Sequence, residues 1–122
     1  VPYIERNPLK NKAAKRRDIR RIRAEILAER SNTLKTLENK IAAVESAIME
    51  LEKSLEQETQ LLLEASQNQD GDSIRKHSKS IFESRKKIEA LFSEFEELTV
   101  EYENKGRTFE EKLKEPLQSD RI

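Results

Sequence analysis

The 122-residue chain is 39% charged and 34% hydrophobic, and only 5% of its residues are aromatic. This composition excludes an ordinary globular domain with a wide apolar core, because too few large apolar side chains are present to fill one. The 24 basic and 24 acidic residues cancel, so the net charge indicates no particular partner. The chain has no cysteine, which excludes disulfides and thiolate metal sites and fits a cytoplasmic location.

The amino-terminal residues 1–10 are predicted to form a linker, because Pro2 and Pro8 interrupt them and no apolar periodicity is present. Asn7 followed by Pro8 is a good helix start, so helix one is expected to begin between Asn7 and Lys12. There is no signal-peptide core and no apolar run long enough to cross a bilayer, and no membrane partner is predicted. Because the chain begins with valine rather than methionine, we expect a fragment of a longer protein.

Helix one, predicted over about residues 11–66, carries an apolar stripe with coiled-coil spacing. From Leu34 onward the stripe steps by three and four residues, with one polar interruption at Glu58. Upstream the spacing slips, because Ile26 and Leu34 are eight residues apart instead of seven. The slip predicts a bend, a local unwinding or a break between Arg30 and Thr33, and a bend is favoured over a full stop.

Eight consecutive residues without an apolar side chain, 66–73, follow this stripe. They are rich in Asn, Asp, Gly and Ser, which favour turns, and residues 67–72 are predicted to form the tip of a hairpin. Asp72 or Ser73 is expected to cap the second helix.

Helix two, predicted over about residues 73–104, continues with an apolar stripe of its own. Folding back at the tip places position i opposite about position 139 minus i. Apolar residues then meet in five successive layers, from Leu51 with Ile88 to Leu37 with Tyr102. This agreement predicts an all-α fold, an antiparallel two-helix coiled-coil hairpin.

The pattern weakens toward the carboxyl terminus. Asn104-Lys105-Gly106 is typical of a helix stop, and a short final helix is predicted over 108–115, with one continuous helix through this glycine left open. Pro116 is expected to end the helix, residues 116–122 are assigned to a tail, and Leu117 to Ile122 are expected to fray. The single hairpin domain is therefore predicted to span 11–115.

Charge is distributed unevenly along the chain. Between Lys10 and Arg23 there are eight cations and one acid, Asp18, whereas Glu89–Glu103 holds six glutamates and no cation. Because helix two is expected to end early, residues before about Glu25 are predicted to project as a basic N-terminal helical extension. The candidate nucleic-acid-binding residues are Lys10, Lys12, Lys15, Arg16, Arg17, Arg20, Arg21 and Arg23.

This density of cations is what phosphate neutralisation requires. Backbone or shape recognition is expected rather than base reading, because the segment has no aromatic residue and no row of Asn or Gln. The alternative is a solvated face, or an arm that pairs with the acidic end of helix two, in a protein-interaction or spacer coiled coil without a nucleic-acid role. Homo-oligomerisation is left open and is not predicted.

No residue set predicts catalysis or metal binding. His77 is the only histidine, and the pairs Glu96-Glu97 and Glu110-Glu111 lie on predicted helices without a pocket. A Gly-rich phosphate loop and a nucleophile with a base are both absent. We therefore expect no enzymatic activity, metal or cofactor in this chain. Phe82 and Phe92 fall beside the stripe and are expected to widen the apolar contact between the two helices or to dock onto a neighbouring domain.

Several features follow one another in a characteristic order: a basic lead-in, a heptad arm opening with LKTLENKI at Leu34, a polar tip, and a return arm closing with LFSEFEEL at Leu98. Over about residues 10–103 this order resembles the C-terminal coiled-coil domain of ABC-F proteins, ATPases with two tandem ABC cassettes and no transmembrane part. Members of that family often carry Pro where Thr36 stands and Trp where Phe95 stands, and their tips often contain Asp-Pro.

The resemblance implies a cytoplasmic domain that binds DNA or ribosomal RNA and is attached to ABC cassettes of the same chain. The positions that match are the basic ones from Lys12 to Arg23. ATP and Mg would be bound by the parent protein and not by this fragment.

Overall fold

The computed structural model describes the backbone of residues 8–120 and the side chains of residues 12–115. Helix α1 spans Pro8–Gln67 and helix α2 spans Gly71–Asp120, and the described residues contain no strand. The prediction of an all-α helical hairpin is confirmed, as is a start for helix one between Asn7 and Lys12. Residues 8–10 were assigned to the linker and instead belong to α1, while the linker prediction for residues 1–7 lies outside the described part.

The chain forms two compact units. Unit 1 comprises Val1–Thr36 with Tyr102–Ile122, and unit 2 comprises Leu37–Glu101. In unit 1 the buried side chains among the described residues are Leu34 and Phe109. In unit 2 they are Leu37, Val44, Ile48, Ala65 and Ile81, each at most 7% exposed. These are residues of the two predicted apolar stripes, apart from Phe109, which the sequence pattern places in phase with the second stripe.

The tip of unit 2 is shorter than predicted. Only three residues separate Gln67, the end of α1, from Gly71, the start of α2. Gln69 adopts the left-handed conformation with φ of 54°, and its N–H donates to the carbonyl of Ser66 at 3.2 Å. The N–H of Asp70 donates to the carbonyl of Ala65 at 3.0 Å. These two bonds form a Schellman motif, which satisfies the terminal carbonyls of α1 without a longer loop.

Asp70 caps α2, rather than the predicted Asp72 or Ser73. Its carboxylate accepts a bond from the N–H of Ser73 at 3.2 Å and one from the Ser73 hydroxyl at 2.7 Å. These bonds hold the pKa of Asp70 below its ordinary value. The prediction failed because the Schellman motif consumes so few residues that the cap position moves two residues toward the tip, and Asp72 pairs with Arg75 inside the first turn instead.

Helix α2 continues where two separate elements were predicted, passing both Gly106 and Pro116. Gly106 does not adopt a positive φ, and apart from its chain neighbours and the backbone of its own helix no atom lies within 4 Å of where its Cβ would stand. One glycine costs a helix only about 1 kcal/mol, so the local stop signal is overridden when the residues beyond it can pack. Phe109, only 4% exposed, supplies that packing. The backbone of residues 116–120, expected to fray, is likewise helical.

The spacing slip in α1 is resolved by a polar seam residue. We use seam for the row of buried and half-buried residues along each helix. In α1 of unit 1 the seam runs through Ile19, Arg23, Ile26, Arg30 and Leu34, so two four-residue steps follow one another at Arg30. This extra four-residue step in the heptad pattern, called a stutter, lets the helix keep the same face toward its partner without a break. Residues 31–33 are accordingly helical, and the favoured bend stays a prediction.

Helix α2 has a matching stutter in the same unit. Its seam there runs through Tyr102, Gly106, Phe109 and Leu113, and the steps from Leu98 to Tyr102 and from Tyr102 to Gly106 are both four residues. Gly106 and Arg30 line the same cleft, so the bulky arginine in one helix faces the smallest residue in the other.

Candidate nucleic-acid interface

Six of the eight candidate cations are exposed near the start of α1. They are Lys12, Lys15, Arg16, Arg17, Arg20 and Arg21. The side chain of Lys10 lies outside the described residues, and Arg23 is half-buried. The exposed arginines follow a regular pattern, because Arg16 with Arg20 and Arg17 with Arg21 are four residues apart and therefore neighbours on the helix surface. They form what we call the arginine face, defined by Arg16, Arg17, Arg20 and Arg21.

The arginine face is poorly neutralised by this chain. Arg21 approaches Asp18 at 3.8 Å, with both side chains about two-thirds exposed, so this pair contributes little. Among the residues whose side chains are described, no carboxylate forms an ion pair with Arg16, Arg17 or Arg20. The positive charge of the face is therefore available to an external anion.

The arginine face opposes the intrinsic preferences of the helix that carries it. Like charges four residues apart cost a helix roughly 0.2–0.5 kcal/mol per pair. Burial gives no compensation, because these side chains are exposed.

Arg23 differs from the other candidates because it reaches across the hairpin. Its Nη1 donates to the carbonyl of Leu113 at 3.1 Å. Arg23 also lies in the seam, whereas its neighbour Ile22, which has coiled-coil spacing with Ile19 and Ile26 in the sequence, is 39% exposed.

The contact of Arg23 corrects the predicted extent of the basic extension. Residues before about Glu25 were expected to lack a partner because helix two was expected to end near residue 104. Helix α2 instead reaches Asp120, so the pairing of unit 1 includes Arg23. The available signal was the spacing of Arg23, four residues after Ile19 and three before Ile26, and this signal is weak because arginine is rarely buried.

A shallow cleft of about 400 Å³ lies between the helices of unit 1. Its charged lining is balanced, since Arg30 and Arg107 are offset by Glu103 and Glu110. The Nε of Arg30 is buried with no hydrogen-bond partner among the described residues. The balance of charges gives the cleft no preference for an anion or a cation, and it adds nothing to the arginine face.

His77, the only histidine of the chain, has a structural partner. His77 Nδ1 lies 2.6 Å from Glu58 Oε2 across unit 2, which explains the polar interruption of the stripe at Glu58. In both cross-helix contacts the residue on α2 precedes the position predicted by 139 minus i: His77 by four residues and Leu113 by three, which is about one turn of helix.

Within the described residues, no group of three or more potential metal ligands comes together. No helix in the same part of the chain is long and apolar enough to span a bilayer.

Comparison with the models of known protein families, with curated proteins and with solved structures gives no match. The resemblance to the ABC-F coiled-coil domain therefore continues to depend on the residues and their order alone.

Proposed function

We propose that this chain is a non-catalytic nucleic-acid-binding hairpin that contacts the phosphate backbone of DNA or ribosomal RNA through the arginine face. The observation that carries the proposal is four exposed arginines on adjacent helix positions with a single weak ion pair among them. Cations retained at a cost to helix stability have a role outside the helix, and polyanion binding is the role that matches their density.

The proposal extends to the parent protein through the ABC-F resemblance. In that context the hairpin is an appendage of a cytoplasmic ATPase, and ATP and Mg are bound by cassettes outside this chain. The confirmed helical hairpin supports the extension, because the resemblance implies such a fold.

The test is a fluorescence anisotropy titration of the full 122-residue chain into labelled duplexes of about 20 base pairs, one DNA and one RNA. We expect weak binding that falls steeply with salt. Four phosphate contacts correspond to a loss of roughly a hundredfold in affinity between about 50 and about 200 mM salt. Substituting Arg16, Arg17, Arg20 and Arg21 together by Ala is expected to remove most of the binding and most of the salt dependence.

A matched control removes the same charge elsewhere. Lys40, Lys53, Lys79 and Lys105 are exposed, and their joint replacement by Ala changes the net charge equally. This control is expected to reduce affinity far less than the arginine variant. Both variants should stay folded by circular dichroism, because alanine has the highest helix propensity. Equal losses in the two variants, or no binding at low salt, would contradict the proposal.

A further inference from the structure

Unit 2 carries an apolar groove that the nucleic-acid proposal does not use. Helix α1 contributes Ile48 and Met49 to it, and α2 contributes Phe92 and Phe95. The groove has a volume of about 250 Å³. Met49 is 70% exposed and Phe92 is 46% exposed, so two large apolar side chains border the groove largely in water. The hairpin gains little from them, because Ile48 already fills the seam at this level.

The exposed apolar side chains at the groove are ringed by acids. Glu45 and Glu52 stand four residues before and three residues after Met49, and both line the groove. Glu89 and Glu96 stand three residues before and four residues after Phe92. Residues at these spacings are neighbours on a helix surface, so four carboxylates surround one apolar centre. Lys53, four residues after Met49, is the one cation at these spacings, and the ring stays net negative.

These four carboxylates are exposed and are not neutralised locally. Among the described residues none of them forms an ion pair. Phe82 on the same helix shows the contrasting arrangement, because the Nζ of Lys86 lies 4.5 Å from the centre of its ring. That cation covers Phe82 from within the chain, whereas no described cation covers Phe92 in this way.

We propose that this groove is a docking site for a basic amphipathic helix of a partner protein. One long apolar side chain of the partner inserts between Met49 and Phe92, and lysine or arginine residues three and four positions away meet Glu45, Glu52, Glu89 and Glu96. This is the helix-in-groove mode of recognition, with the charge ring selecting a basic partner. A site of this size fits a weak and transient contact.

A second copy of this chain fits the groove less well. Its exposed Ile22 is flanked at the corresponding spacings by Asp18 and Glu25, which would meet the acidic ring with like charge. Its exposed Leu27 is flanked by Arg23 and Arg30, both of which occupy the seam of unit 1. Its exposed Phe82 does have cations at these spacings, Lys79, Arg85 and Lys86, but Lys86 already covers the Phe82 ring. A nucleic acid is disfavoured by the same four carboxylates. The occupant that matches the ring with an uncovered apolar side chain and uncommitted cations is a foreign basic helix.

The experiment measures binding of labelled synthetic helices to the full 122-residue chain by fluorescence anisotropy. The probe is an amidated peptide of about 14 residues, four turns of helix, with leucines along one face and lysines on both flanks. A matched peptide carries glutamate in place of every lysine. We expect the lysine peptide to bind and the glutamate peptide not to bind.

Variants of the chain locate the site. Met49→Ala and Phe92→Ala are each expected to weaken binding of the lysine peptide about fivefold or more. Phe82→Ala is expected to leave it unchanged, because Phe82, although 60% exposed, lies outside the groove. Glu45→Lys with Glu52→Lys is expected to abolish binding of the lysine peptide and to permit binding of the glutamate peptide. These positions are at the surface, and circular dichroism checks that each variant is folded.

Three outcomes would overturn the proposal. The first is the absence of binding by the lysine peptide. The second is binding that is equally strong in Phe92→Ala and Met49→Ala. The third is self-association of the unmodified chain in sedimentation experiments that Phe92→Ala abolishes, because the occupant would then be a second copy.

Discussion

Gln69 has the only positive φ among the non-glycine residues that the structure describes, at 54°. A side chain in this conformation costs about 1–2 kcal/mol, and glycine does not bear that cost. We therefore expect Gln69→Gly to stabilise the chain by about 1 kcal/mol in urea unfolding. Asn68→Gly is the control, because Asn68 has no positive φ and glycine there only increases the freedom of the unfolded chain. A stabilisation of equal size in both variants would argue against the Schellman geometry.

Asp70 links the tip to pH. Because its bonds to Ser73 lower its pKa, its contribution to stability is fully present above the ordinary pKa of aspartate, about 3.9, and is lost as the pH falls through the lowered value. The Asp70→Asn substitution keeps an acceptor for the cap but removes the titrating group. We expect the urea midpoint of the wild-type chain to fall more than that of Asp70→Asn between about pH 6 and about pH 2. An equal fall of the urea midpoint in both chains would show that the Asp70 carboxylate does not contribute to the pH dependence of stability.

At the scale of a helix pair, the Glu58 and His77 contact joins α1 and α2 through two polar side chains that are 25% and 16% exposed. Replacing one partner leaves the other half-buried with no bond, which costs about 1–3 kcal/mol. Replacing both by leucine restores an apolar layer. We expect Glu58→Leu and His77→Leu each to destabilise the chain and the double variant to recover most of the loss. Additive effects in this double-mutant cycle would mean that the pair is not coupled.

Apart from Pro116, Gly106 is the weakest helix former inside α2. Because apart from its chain neighbours and the backbone of its own helix no atom lies within 4 Å of where its Cβ would stand, alanine gains helix propensity there without a clash. We expect Gly106→Ala to raise the free energy of unfolding by about 1 kcal/mol. Gly71→Ala is the matched control and should gain less, because Gly71 is the first residue of the helix. Destabilisation by Gly106→Ala would indicate that Arg30 needs the full space of the cleft.

For the whole molecule, the sequence predicted the hairpin because its signals are local and repeated. The heptad stripe from Leu34 predicts a helix and the polar tip predicts a turn, and both signals come from neighbouring residues and are not overridden by packing. The end of α2 was predicted incorrectly because Gly106 gives a local stop signal, whereas the burial of Phe109 depends on a distant segment. The contact of Arg23 with Leu113 was missed for the same reason, because it joins two segments that are distant in the sequence.

The candidate site was predictable to the same degree. Exposure of Arg16, Arg17, Arg20 and Arg21 follows from their position off the stripe, and the structure places them as the sequence pattern suggested. The groove at Met49 was not predictable in the same way, because its acidic ring combines residues from both helices and depends on their register. Phe92 alone was visible as a residue beside the stripe.

The paired stutters in unit 1 restrict how this hairpin can change in length. Deleting Leu27–Arg30 from α1 alone would shift every earlier residue of that helix by a full turn against its partner, separating Arg23 from Leu113. Deleting Glu103–Gly106 as well would remove the second stutter and leave uninterrupted steps of three and four residues in both helices. We expect the double deletion to melt at a higher temperature than either single deletion in circular dichroism. Insertions and deletions in one arm are thus tolerated only with a compensating change in the other, so the two arms are expected to vary in length together.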